Sequence, residues 1–123
     1  MALDSLSAQS GLSPATLEKI ITVLARCPAL EKAVLYGSRA KGNHRPGSDI
    51  DLSLFGDTLS HAHLGQIESQ LDDLMLPYSF DISLFSQIDS PDLTEHIQRV
   101  GLVFYEKSSL AENLGKTQKQ ASV

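Results

Sequence analysis

Apolar residues along this chain follow two rhythms. Leu17, Ile20, Ile21 and Leu24 recur at helical spacing. They follow Ser13-Pro14, which suits an N-cap and a first helical proline, and Pro28 stops the helix. Leu64, Ile67, Leu71 and Leu74 repeat the helical spacing from Ser60 to about Leu74, with Pro77 ending the segment. Ser90-Pro91 opens a third capped helix, which runs to about Val100 and ends at Gly101. Between these lie stretches with a period of two or continuously apolar. KAVLY (32–36) reads as a short buried strand ending at Gly37, and LVFY (102–105) as a last strand. In DIDLSLF (49–55), Ile50, Leu52 and Leu54 face one way and Asp49, Asp51 and Ser53 the other. SFDISLF (79–85) nearly repeats it, with Phe80, Ile82 and Leu84 opposite Asp81 and Ser83. Residues 1–12 are small and polar and read as a flexible lead. From residue 106 the chain is polar and aperiodic, a flexible tail. A single domain is expected over 13–105.

The order α-β-β-α-β-α-β predicts an α/β (α+β) domain with a mixed sheet flanked by helices. A helix connects strands 49–55 and 79–85, so they are expected to run parallel. Their beginnings, with Asp49, Asp51 and Asp81, then lie at one end. If strand 32–36 pairs antiparallel with 49–55, its end brings Gly37-Ser38 to the same edge.

Composition narrows the picture. The chain has 123 residues, of which 41% are apolar, enough for one domain. No apolar run approaches a membrane span, and the first residues lack the basic start and apolar block of a secretory signal. The lone Cys27 suits a reducing compartment, so a cytoplasmic protein is expected. The net charge of −5 argues against a protein that coats nucleic acid, although Arg39, Lys41, His44 and Arg45 make one short basic loop.

The converging carboxylates then acquire a meaning. Asp is depleted in strands, and three repelling carboxylates call for a counter-charge. A hard divalent cation such as Mg²⁺ takes oxygen ligands, typically one or two carboxylates plus substrate phosphates. Two such ions form the clamp used in phosphoryl or nucleotidyl transfer. Asp49 and Asp51 would hold the ions, while Asp81 would ligate the ion at the attacking hydroxyl or act as its base. Gly37 lets backbone approach a phosphate, and Ser38 adds a hydroxyl and an N–H at the start of a short helix over 38–41. Arg39 and Lys41 could add charge, though Arg39 could equally face the sheet. Ser48 could steady the aspartates or simply make a turn.

Together, G-S-x9-S-D-x-D and the later DISL resemble the nucleotidyltransferase superfamily of DNA polymerase beta. The short length is similar to its minimal branch, the MNT proteins paired with HEPN-domain partners. The resemblance covers roughly Ala33 to Leu84 and is specific for the superfamily but not for the substrate. It implies a polymerase-beta-like nucleotidyltransferase fold. It also implies triphosphate binding at Gly37 and Ser38, metals at Asp49 and Asp51, and Asp81 as the third carboxylate. The expected cofactor is Mg²⁺, two ions, with Mn²⁺ as an alternative, and the expected substrate is ATP. The acceptor would be a hydroxyl of a protein or RNA. Larger members of the superfamily add a domain that grips the acceptor, and nothing here is long enough to be one, so either a partner chain supplies it or the acceptor is itself a protein. The resemblance to MNT proteins implies a hetero-oligomer with a HEPN protein, the chain acting as antitoxin. The competing reading is a non-catalytic antitoxin that covers its partner and only senses nucleotide.

Other residues take plainer readings. His61 and His63, two apart, do not share a helix face. Asp72 and Asp73 are solvated helix-end acids, and His96 is exposed. Tyr36 packs under the turn, and Tyr78 sits at a strand edge.

Overall fold

In the computed structural model, which describes residues 2–45 and 47–107, the elements follow the predicted order with three additions, a first helix, the short helix over 38–41 and a 3-10 turn. The elements are α1 (Ala2–Ser10), α2 (Pro14–Ala25), β1 (Lys32–Tyr36), α3 (Ser38–Lys41), β2 (Ile50–Phe55) and α4 (His61–Asp72). Next come β3 (Phe80–Leu84), a 3-10 turn (Phe85–Gln87), α5 (Pro91–Val100) and β4 (Leu102–Glu106). Helix starts are set by side chains. Ser13 and Ser90 accept hydrogen bonds from the N–H groups of Thr16 and Leu93, and a proline follows each. At α4, Ser60 and His63 form a reciprocal cap, the Ser60 N–H donating to His63 Nδ1 at 3.1 Å.

The sheet order is β3-β2-β1-β4. β2 and β3 are parallel, and β1 is antiparallel to both of its neighbours, β2 and β4. This is the mixed sheet of an α+β domain. Period-two alternation divides its faces. Leu35, Leu52, Leu54 and Ile82 join Ile20 and Leu24 of α2 and Ile67 of α4 in the main core. Each such side chain contributes about 1.5–3 kcal/mol relative to exposure. On the opposite face Val34 and Tyr36 pack with Ile97 of α5, beside Phe55 and Phe85.

The structure corrects the N-terminus. Residues 2–10 form helix α1 rather than a flexible lead. Leu6 and Leu12 are buried in the main core. Ser7 Oγ donates to the Leu12 carbonyl at 2.6 Å, and Gln9 Nε2 donates to the Ala40 carbonyl at 2.8 Å. Too few apolar positions mark this helix in the sequence, and one of its anchors, Gln9 to the Ala40 carbonyl, spans 31 residues. The tail expected from residue 106 begins with the last residue of β4, and residues 108–123 lie outside the described residues. Among the described residues, no helix is long and apolar enough to cross a membrane.

Candidate active site

β1 ends at Tyr36, and the chain turns at once through Gly37 into α3. Gly37 has φ +76°, a conformation that favours glycine. A Cβ there would overlap a carboxylate oxygen of Asp51, so the turn lies directly against that side chain. α3 begins at Ser38 with no side-chain cap. Its first N–H groups therefore lack helix partners. Gly42, at φ +80°, closes α3 by donating to the Ser38 carbonyl.

The carboxylates follow from strand register. Asp51 pairs with Tyr36 on one side and with Asp81 on the other. The Ile50 N–H donates to the Ser79 carbonyl at 2.9 Å, locking the two strand beginnings together. Asp49 precedes β2 and is exposed, Asp81 is exposed, and Asp51 is half-buried. Asp51 feels the other two. Burial, then the Asp81 charge, then the Asp49 charge push the Asp51 carboxyl up to about 6. Gly37, Ser38, Asp49, Asp51 and Asp81 thus lie at one edge, as the topology argument expected.

Among the described residues, no three His, Cys, Asp or Glu side chains close on one point as a finished metal cage. The donor set nevertheless suits Mg²⁺, which commonly takes only one or two carboxylates and completes its shell with phosphate oxygens and water. Burial first, and the two neighbouring anions after it, disfavour the ionised Asp51, and a cation beside it would oppose both. A pH dependence follows. Because the folded state holds the Asp51 proton more tightly than the unfolded chain does, its contribution to metal-free stability is greatest at low pH. It declines as pH rises from 3.8 to about 6. Mg²⁺ is expected to raise the Tm more at pH 7.5 than at pH 5, and calorimetry across that range in Mg²⁺ and in chelator checks it. An equal rise at both values would contradict the assignment.

Arg39 is a correction. It does not face the phosphate side of the turn; it is 2% exposed. Its Nε and Nη2 donate to the Ser48 carbonyl at 3.1 and 3.0 Å, its Nη1 donates to the Ser10 carbonyl at 2.8 Å, and its guanidinium lies 5.0 Å from the Tyr78 ring centre. One planar fork therefore ties α1, α3 and the lead into β2. Arg39→Ala is expected to destabilise the protein by roughly 2–4 kcal/mol, leaving two carbonyls unpaired. Arg39→Lys should recover little, since an ammonium cannot span both carbonyls. Urea unfolding of the three proteins tests this, and near-equal midpoints for wild type and Lys would refute it. Ser48 takes the turn role: its hydroxyl accepts from the Arg45 N–H at 2.8 Å, and its N–H donates to the Arg45 carbonyl at 2.9 Å. Lys41 is exposed at the end of α3, on the same segment as Ser38.

The face carrying Asp51 and Asp81 also holds residues for which no active-site role is expected from sequence. Tyr36 is buried and packs with Val34 and with Ile97 of α5. Burial pushes its phenol pKa up; the Ser83 hydroxyl opposes the rise, and the Asp81 and Asp51 charges add to it. His96 corrects the expectation of an exposed side chain. It is half-buried, edge-on to the Tyr36 ring with centres 6.3 Å apart. Tyr78 supports Arg39 rather than simply marking an edge. The signal available for His96 is its place one residue before Ile97, on the side of α5 that meets the sheet.

A family model described as Polymerase beta, Nucleotidyltransferase matches residues 18–110. No curated protein matches the chain. Among solved structures, a toxin-antitoxin crystallised with AMP-PNP superposes with TM-score 0.61 at 22% identity, covering 85% of this chain and 93% of that one. The MntA-HepT toxin-antitoxin gives 0.58 at 20% identity, covering 89% and 94%. A tri-AMPylated Shewanella oneidensis HEPN toxin in complex with MNT antitoxin gives 0.57 at 20% identity, covering 87% and 92%. At these identities the likeness is one of fold.

Proposed function

The chain belongs to the polymerase beta nucleotidyltransferase family, and from that membership we propose that it transfers a nucleoside monophosphate, AMP from ATP, to a hydroxyl of a protein or RNA. We propose further that it does so as the antitoxin of a pair with a HEPN-domain partner, in the cytoplasm. The observation that carries the reading is the register pair Asp51–Asp81 at the start of two parallel strands, with the Gly37 turn against Asp51. The toxin-antitoxin complexes among the fold neighbours support the partner.

Gly37 and Ser38 bind the triphosphate through backbone N–H groups and the Ser38 hydroxyl, with Lys41 as the nearby cation. Asp49 and Asp51 would hold divalent cations, and Asp81 would ligate the one on the attacking hydroxyl's side of the site. Two Mg²⁺ ions bound there would supply neutralisation of charge at the α-phosphate and a lowered pKa for the attacking hydroxyl. The acceptor oxygen bonds to the α-phosphorus, the bond from that phosphorus to the β-phosphate bridging oxygen breaks, and pyrophosphate leaves. The hydroxyl proton passes to Asp81 or through it to solvent.

Label transfer from α-phosphate-labelled ATP with Mg²⁺, alone and with the co-purified partner, tests this. A labelled protein or RNA band with wild type, absent from Asp49→Ala/Asp51→Ala, is expected. No label with any nucleoside triphosphate or with Mn²⁺ would sink the enzymatic reading. The non-catalytic antitoxin would then remain.

A further inference from the structure

The row of the sheet immediately behind the carboxylates contains two hydroxyls with nothing to bond. Ser53 and Ser83 are opposite each other in the β2–β3 register, two pairs beyond Asp51 and Asp81 and therefore on the same face. Ser53 is fully buried, and neither Oγ has a hydrogen-bond partner. Adjacent strands stand about 4.8 Å apart, so the two hydroxyls share one small space. The Tyr36 phenol reaches the same space from β1. It lies near enough to Ser83, Asp81 and Asp51 to be influenced by all three, yet Ser83 Oγ forms no hydrogen bond of good geometry. Two serine hydroxyls cannot both stay unpaired there without a desolvation penalty. One water molecule with three or four polar neighbours would satisfy them.

We propose that Ser53, Ser83 and Tyr36 are positioning residues that hold a buried water beneath the Asp51–Asp81 pair and so fix the orientation in which those carboxylates meet a divalent cation. The proposal rests on the reading of Asp51 and Asp81 as metal ligands. Its geometry is specific: the water accepts from the phenol, bonds both serine hydroxyls, and donates upward to a carboxylate oxygen. α5 closes the space from outside, with His96 against the Tyr36 ring and Ile97 beside it.

The test turns on a sign. If the hydroxyls are dry, Ser83→Ala and Ser53→Ala/Ser83→Ala remove unpaired polar atoms and the Tm in chelator rises or holds. If they bind water, the same changes leave that water short of partners and the Tm falls. Positioning adds a second expectation: calorimetric Mg²⁺ affinity drops three- to ten-fold, and Ser83→Thr, which keeps the hydroxyl, recovers most of it. A high-resolution crystal structure of the wild type should show the water directly. A rise or no change in Tm, an empty space in the density, or a fall in Tm with unchanged Mg²⁺ affinity would each overturn the proposal. Should the double variant fail to fold, Ser83→Ala and the wild-type density decide. None of these measurements needs transfer activity, so failure here is distinguishable from failure of the enzymatic reading.

Discussion

Asp51→Asn is expected to reduce nucleotide transfer by roughly a thousand-fold or more, about 4 kcal/mol of barrier, while making the metal-free protein more stable at pH 7.5. The two effects share one cause. Asp51 sits half-buried between Asp81 and Asp49, and its carboxyl is pushed up to about 6. Above that pH it is ionised at the expense of the fold. Asn keeps the shape and discards the charge, so the mutual repulsion falls and metal-free stability rises. The same change removes an anionic ligand, and with it the electrostatic pull on a divalent cation. The measurements are labelled transfer at saturating Mg²⁺ and the Tm in chelator at pH 5 and 7.5. The Tm gain should shrink at pH 5, where the wild-type carboxyl is largely protonated. A structural role for Asp51 predicts lost activity with lost stability, and that joint outcome would refute the assignment.

Much of the fold was legible because its signals are local. Ser-Pro starts, Gly and Pro stops and period-two strands are written within a few residues of where they act. The convergence of Gly37, Asp49, Asp51 and Asp81 also followed from one rule: a helix connecting two strands makes them parallel, which brings their starting residues to one edge. What stayed hidden depends on partners far apart in sequence. Arg39 reads as a phosphate-binding cation beside a Gly-Ser turn, yet the carbonyls of Ser10 and Ser48 hold it inside the fold. α1 was missed for the same reason, since Gln9 reaches the Ala40 carbonyl and Leu12 enters a core built by later elements. The Ser53–Ser83 pair looks like ordinary strand alternation until register places the two opposite each other under α5. Single-sequence reasoning captures backbone preference and period; it does not capture which polar atoms find partners across the sheet.

Gly37→Ala is the second large effect, expected to lower transfer by about a hundred-fold, or about 3 kcal/mol, without unfolding the protein. Two physical terms act at this residue. The first is backbone strain: φ +76° with ψ −155° is a region essentially reserved for glycine, where an L side chain costs about 1–3 kcal/mol. The second is overlap of the new Cβ with the Asp51 carboxylate, which can be relieved only by moving Asp51 or opening the turn. Either response separates the backbone donors at Ser38 from the carboxylates that must act together with them. Gly47→Ala distinguishes the two terms. Gly47 has φ +86°, and a Cβ there would meet nothing within 4 Å, so it carries the strain without the overlap. Gly47→Ala should lose stability similarly and keep transfer within a few-fold of wild type. Urea midpoints and labelled transfer on both variants give the comparison. Equal losses of activity would assign Gly37 to loop geometry alone, whereas a large loss confined to Gly37→Ala would tie the turn to the carboxylate it touches.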